Sequence, residues 1–169
     1  DCERVFEGLQ SPAENRLLNV GDGLKVTQIR LGTARLTHCM RWLGYAQRAL
    51  EIATAYVETR ESFGTTLAQH EGVQWMLGEA AAEIHAGRLL TMHAAWRLDH
   101  GHRARKEVSM AKVAVADTLC RAVDTAIPLC GARGYSKDTI LEWLYRSARS
   151  AKLVDGASEV HRLGLARTP

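Results

Sequence analysis

Apolar residues fall into helical period over most of the chain. Leu36, Met40, Leu43, Ala46, Leu50, Ala53 and Val57 step by three or four, which sets them on one face of a first helix. A second stripe runs through Val73, Leu77, Ala80, Ile84, Gly87, Thr91, Ala94 and Leu98. The third carries Val108, Ala111, Val115, Leu119, Ala122, Ala126 and Leu129, and a shorter fourth has Leu141, Leu144, Ala148 and Ala151. Phe63-Gly64-Thr65-Thr66, Gly101 and the segment from Gly131 to Gly134 break the stripes apart. Asp155-Gly156 ends the fourth and opens a short last helix through His161 and Leu165. Each stripe covers one side only, so the helices must bury those sides against one another. The pattern predicts an all-α fold: an up-and-down four-helix bundle over residues 25–169 with a short extra C-terminal helix. Small residues on the stripes let helix axes approach closely, and the length of the helices leaves apolar surface that predicts self-association.

Residues 1–24 read differently. Val5-Phe6 is followed by Gly8, Pro12, Asn15, Gly21 and Gly23, an irregular N-terminal segment of short extended pieces and turns with too few apolar residues for a sheet of its own.

Composition narrows the function classes. The chain has 169 residues, 46% of them apolar and 24% charged, which fits one folded domain and excludes a disordered one. With 22 Lys plus Arg against 19 Asp plus Glu, the net charge of +3 is small and the basic residues form no stripe, so nucleic acid is not a partner. There is no run of membrane length and no secretory leader is read at the start. Cys2, Cys39, Cys120 and Cys130 form no C-x-x-C pair and read as reduced thiols, which points to a soluble protein of the cytoplasm. His100 and His102 beside Asp99 read as a surface turn, since no further ligand has metal spacing.

Three polar features interrupt the bundle pattern, each with two readings. Arg60-Glu61-Ser62-Phe63-Gly64 closes the first helix; Arg60 could complement the helix dipole with Gly64 as a left-handed cap, or form a fork for a phosphate group. Cys130-Gly131-Ala132-Arg133-Gly134-Tyr135 could be a plain helix–helix turn or a loop whose backbone N–H groups approach a phosphate or a ring. Asp155 could cap the last helix, with Ser158 or Glu159 reaching back, or serve as a general base on a sharp turn. Periodicity does not choose within any of these pairs.

Taken together, in this order, the features resemble the C-terminal domain of the acyl-CoA dehydrogenases. The segments that carry the likeness are Arg35, Gly44-Tyr45-Ala46, Arg60-x-x-Phe63-Gly64-x-x-Leu67, Gly131-x-x-Gly134-Tyr135, Tyr145-Arg146-x-Ala148 and Asp155-Gly156-x-x-Glu159-Val160. The segment from Val5-Phe6 to Asn15 is similar to the last strand and exit of that family's middle β-domain, so residues 1–24 would be a remnant of that domain and its linker. The resemblance implies FAD as cofactor and oxidation of an acyl-CoA to its trans-2-enoyl form, a carboxylate taking the α-proton while hydride leaves the β-carbon for the flavin. It also implies a homodimer or homotetramer and an electron-transferring flavoprotein as acceptor. The chain by itself would be folded, oligomeric and inactive.

Carried over position by position, Asp155 stands where most members have a catalytic Glu. The run Arg35-Leu36-x-His38-Cys39-Met40-Arg41 is similar to relatives that use Asp there. The resemblance puts Arg35 near the CoA or thioester and Gly156 beside the substrate. It assigns Arg60, Ser62 and Phe63 to the FAD of a neighbouring subunit, and Glu71 to the cofactor site. Pro128, Cys130, Gly131 and Ala132 would line FAD across the same interface, and Ala157 and Glu159 would touch it from their own subunit. Family members often have Gln at the positions of Glu71, Pro128 and Glu159, Thr at that of Ala157, and Gly at that of Ala132. Glu71 and Glu159 add negative charge near an anionic cofactor, for which Arg60, His161 or Arg162 would compensate. The alternatives are a relative acting as an acyl-CoA oxidase or reductase, and an inactive helical assembly module.

Overall fold

The computed structural model describes residues 3–167, so Cys2 and its expected reduced thiol lie outside the described residues. Helix α1 spans Gly23–Thr59, α2 Glu71–Asp99, α3 Arg105–Cys130, α4 Ala132–Tyr135, α5 Leu141–Ala151 and α6 Ser158–Ala166. The first three are ~55, ~43 and ~39 Å long at the α-helical rise. Between residues 3 and 22 the one regular element is a 3₁₀ turn over Ala13–Asn15, and nearly every side chain there is exposed.

Gly87 of α2 shows how tightly the long helices meet. A Cβ there would lie 3.1 Å from Cδ2 of Leu43 on α1 and 3.2 Å from Cγ2 of Val115 on α3. Positions 43, 87 and 115 therefore share one layer, and with short turns between them α1, α2 and α3 must alternate in direction. Helix α5 returns along α3, where Cys120 Sγ reaches the Ala148 carbonyl at 3.4 Å. Helix α3 is the centre of the bundle: half of its 26 residues are buried.

Every position of the third and fourth stripes is buried, as are Ala80, Ile84, Gly87, Thr91 and Ala94 of the second. The first stripe needs one correction. Met40 is 67% exposed, while Cys39 and Trp42 are in the core. The step from Leu36 to Leu43 can pass through residue 39 or residue 40 with equal helical fit, and the helix takes the smaller Cys39 inward.

The break after α1 is a hairpin. Strands β1 (Glu61–Ser62) and β2 (Thr65–Thr66) pair antiparallel, with Glu61 opposite Thr66 and Ser62 opposite Thr65. Phe63 (φ 53) and Gly64 (φ 83) are both left-handed, the arrangement of a two-residue type I′ turn. Gly64 is therefore a hairpin residue and not a helix cap; α1 ends on Arg60, whose backbone is extended. No helix among the described residues is long and apolar enough to cross a membrane. Cys39, Cys120 and Cys130 are unpaired buried thiols.

Candidate functional site

The turn between α5 and α6, like the hairpin after α1, has an unusual backbone. Asp155 (φ 55) and Gly156 (φ 100) are consecutive left-handed residues. Glycine takes this conformation freely, and Asp is one of the few other residues that tolerates it. The double reversal moves the N-cap of α6 to Ala157, which makes no side-chain capping bond. The capping reading of Asp155 is thus replaced: its carboxyl group leans back on α1.

Side chains from three helices fix the turn. Arg35 Nε on α1 donates to the Asp155 carbonyl at 2.9 Å, and His161 Nε2 on α6 lies 3.2 Å from the same oxygen. Lys112 Nζ on α3 donates to the Gly156 carbonyl at 2.8 Å. The other His161 nitrogen faces Ser109 Oγ at 3.0 Å. Gly156 has little room as well as a positive φ, since a Cβ there would sit 3.0 Å from His161 Nε2.

The Asp155 carboxylate approaches His38 of α1, with Oδ2 2.9 Å from Nδ1, and the two side chains are 14% and 23% exposed. Neither atom has an aligned hydrogen bond, so this is a close polar contact off the hydrogen-bond axis. His38 rests against Trp42, ring centroids 5.5 Å apart, and the Trp42 ring lies 6.0 Å from Lys112 Nζ. Burial lowers the pKa of Arg35, with Asp155 pulling the other way, and lowers that of Lys112. Burial likewise lowers His161 and pushes the Cys39 thiol up to about 12, so Cys39 is a neutral, inert neighbour.

The residues singled out from the sequence divide into two groups. Arg35, Asp155, Gly156, Ala157 and Glu159 share one end of the bundle. Arg60, Ser62 and Phe63 on the hairpin, Glu71 at the first residue of α2, and Pro128 to Ala132 at the end of α3 share the other. Arg35 and Arg60 are ~38 Å apart along α1. Phe63 is 97% exposed, and Arg60, Glu71, Pro128, Gly131 and Ala132 are exposed too. Cys130 departs from them: its thiol is in the core, which leaves only its backbone for a ligand. Glu159 is exposed and has Arg162 Nη1 at 3.7 Å, while His161 is turned inward and so does not compensate it.

Sequence reasoning gave no role to His38 or Lys112. His38 shares a face with Arg35 and Trp42 at helical spacing. Lys112 follows Ala111 and lies four residues after Val108, a single charge inside an apolar stripe, which is the available signal.

This arrangement can hold a carboxylate oxygen ready to accept a proton, with its backbone anchored by cationic groups. The family model for the acyl-CoA dehydrogenase C-terminal domain matches residues 21–168. The probable acyl-CoA dehydrogenase FadE2 of Mycobacterium tuberculosis is 40% identical over 98% of this chain and 41% of its own. A solved structure of the electron transferring flavoprotein of Acidaminococcus fermentans superposes with a TM-score of 0.93 at 30% identity, over 96% of this chain and 43% of that one. Butyryl-CoA dehydrogenase from Megasphaera elsdenii gives a TM-score of 0.92 at 28% identity, over 96% and 42%. The chain spans 20% and 41% of the first curated relatives it matches. It belongs to the acyl-CoA dehydrogenase family, whose C-terminal domain it carries.

Proposed function

We propose that the whole protein is an FAD-dependent acyl-CoA dehydrogenase, with Asp155 as the base that removes the α-proton of the acyl thioester. The observation that carries this is the inward carboxylate of Asp155, held on a left-handed turn by Arg35, His161 and Lys112. A base must keep its oxygen within hydrogen-bond reach of the α-carbon's proton, and an anchored turn holds that position between turnovers. Asp is shorter than the family's usual Glu, and the left-handed backbone that Asp tolerates sets where its oxygen stands.

The residues present fit the flavin dinucleotide. The type I′ turn holds the Phe63 ring out as an exposed aromatic face, with the Arg60 guanidinium, a planar fork for phosphate oxygens, just before it. When bound, FAD would supply the acceptor for the hydride that leaves the β-carbon. The length of bundle between the hairpin and Asp155 is too great for one dinucleotide to bridge. The hairpin therefore serves the cofactor of a neighbouring chain, as Arg60, Ser62, Phe63, Glu71 and Pro128 to Ala132 would in a homodimer or homotetramer. Ala157 and Glu159 would touch the cofactor of their own chain, with Arg162 offsetting the Glu159 charge. Residues 1–24 would be the exit from the preceding β-domain, residues 25–169 the helical domain, and an electron-transferring flavoprotein the acceptor. The unpaired buried thiols support a reducing compartment, the cytoplasm.

The test is Asp155→Asn in the full-length protein. Solvent exchange of the acyl α-proton should fall by about 10²–10⁴-fold while flavin stays bound. Exchange at the unaltered rate would remove Asp155 from the base role.

A further inference from the structure

We propose that Asp117 of α3 is a positioning residue for Asp155, closing the neck of the loop that carries it; this rests on Asp155 being the base. The segment from Lys152 to Ser158 returns on itself, since the Ser158 N–H donates to the Lys152 carbonyl at 3.0 Å. Asp155 stands at the tip of this loop. At the neck, Asp117 takes one cation from each limb. Its Oδ2 accepts from Arg162 Nη2 on α6 at 2.6 Å, and its Oδ1 lies 2.9 Å from Nζ of Lys152, the residue after α5. The Arg162 contact is an aligned hydrogen bond, and the Lys152 contact is an ion pair off that axis.

Helix α3 therefore holds the loop at two heights. Lys112 grips the tip through the Gly156 carbonyl, and Asp117 grips the neck ~7.5 Å further along the helix axis. The two grips act on different parts of the loop. At the tip, Lys112 and Arg35 bind the backbone carbonyls of Gly156 and Asp155. At the neck, Asp117 fixes where the two limbs leave α5 and enter α6. That sets the direction in which the left-handed pair Asp155-Gly156 points. A catalytic group misplaced by ~1 Å can lose about 10²-fold in rate, so this direction matters to a base.

The neighbouring acids are committed elsewhere. Glu83 binds Arg121 and Asp124 binds Arg149. Glu159 lies 3.7 Å from Arg162, further than Asp117 does, and its side chain is mostly exposed. Isolated surface ion pairs contribute little, but here one half-buried carboxylate joins both limbs at once. Burial works against the Asp117 charge, yet Lys152 and Arg162 outweigh burial and hold the carboxyl below its ordinary value.

The experiment uses the full-length flavin-loaded enzyme. It follows flavin bleaching against the concentration of whichever straight-chain acyl-CoA bleaches the unaltered enzyme fastest. In Asp117→Asn the saturated rate per bound flavin should fall about 10-fold, with half-saturation and flavin content within about twofold. Asp117→Glu keeps the charge and should recover most of that rate. Lys152→Met opens one limb and should slow bleaching less than Asp117→Asn does. Combined with Asp117→Asn it should add nothing, because both changes break one clasp. An unaltered rate in Asp117→Asn overturns the proposal. So does a loss that Asp117→Glu fails to recover, a loss that follows flavin content alone, or losses that multiply in the double variant. The base reading fails separately, if Asp155→Asn bleaches normally.

Discussion

Lys112, a side chain with no exposed surface, places its ammonium 2.8 Å from the carbonyl oxygen of Gly156, the residue after the proposed base. A buried ammonium is stable only with partners, and here one partner belongs to the turn itself. The charge thus ties the centre of the bundle to the left-handed turn. Lys112→Met keeps the volume and removes the tie. It should destabilise the chain by about 1–3 kcal/mol, the cost of leaving the carbonyl unpaired. Urea melts measure this, and an unchanged midpoint would show that the tie contributes nothing.

Gly156→Ala should be worse than an ordinary surface change. The new Cβ meets His161 Nε2 at 3.0 Å and the backbone has φ +100. A left-handed conformation in a non-glycine residue costs about 1–3 kcal/mol. We expect that loss in the same melts, and in the full-length enzyme slower α-proton removal. Wild-type stability would mean that the turn relaxes without cost.

His161 sets an acid-side dependence. Its pKa is lowered from 6.5, chiefly by burial, although its bond to the Asp155 backbone pulls upward. The unfolded chain therefore binds this proton at a higher pH than the folded one. The neutral ring contributes stability above pH 6.5 that is lost as pH falls through and below that value. Melts between pH 7.5 and 5 should show this slope, and His161→Gln should flatten it. An equal slope in the variant would assign the effect to other groups.

Phe63 should behave in the opposite way to the buried positions. At 97% exposure it has little to lose in the isolated domain, so Phe63→Ala should shift stability by no more than about 0.5 kcal/mol. In the full-length oligomer the same change should weaken flavin retention, read from absorbance after gel filtration. Full retention would take the ring out of the cofactor site.

The bundle was legible because helical period is a local property. The third and fourth stripes and the middle of the second lie in the core, and Met40 was misplaced only because two helical paths join Leu36 to Leu43. The polar features were legible as exceptions to the period, but not the direction in which they face. Asp155 caps nothing because two consecutive left-handed residues hand the cap to Ala157, and φ is not written in an apolar pattern. Lys112 finds its acceptor 44 residues further along the chain, a contact that no local rule supplies.

The distance between the hairpin and the Asp155 turn has a genetic consequence. If each flavin is gripped by Arg60 from one subunit and faces Asp155 of another, a chain carrying Asp155→Asn and a chain carrying Arg60→Ala are defective in different halves of the centre. Co-expressed, they would form mixed pairs in which one of the two centres is built wholly from unaltered residues. Two dead alleles would then complement one another, as no arrangement with a self-contained centre allows.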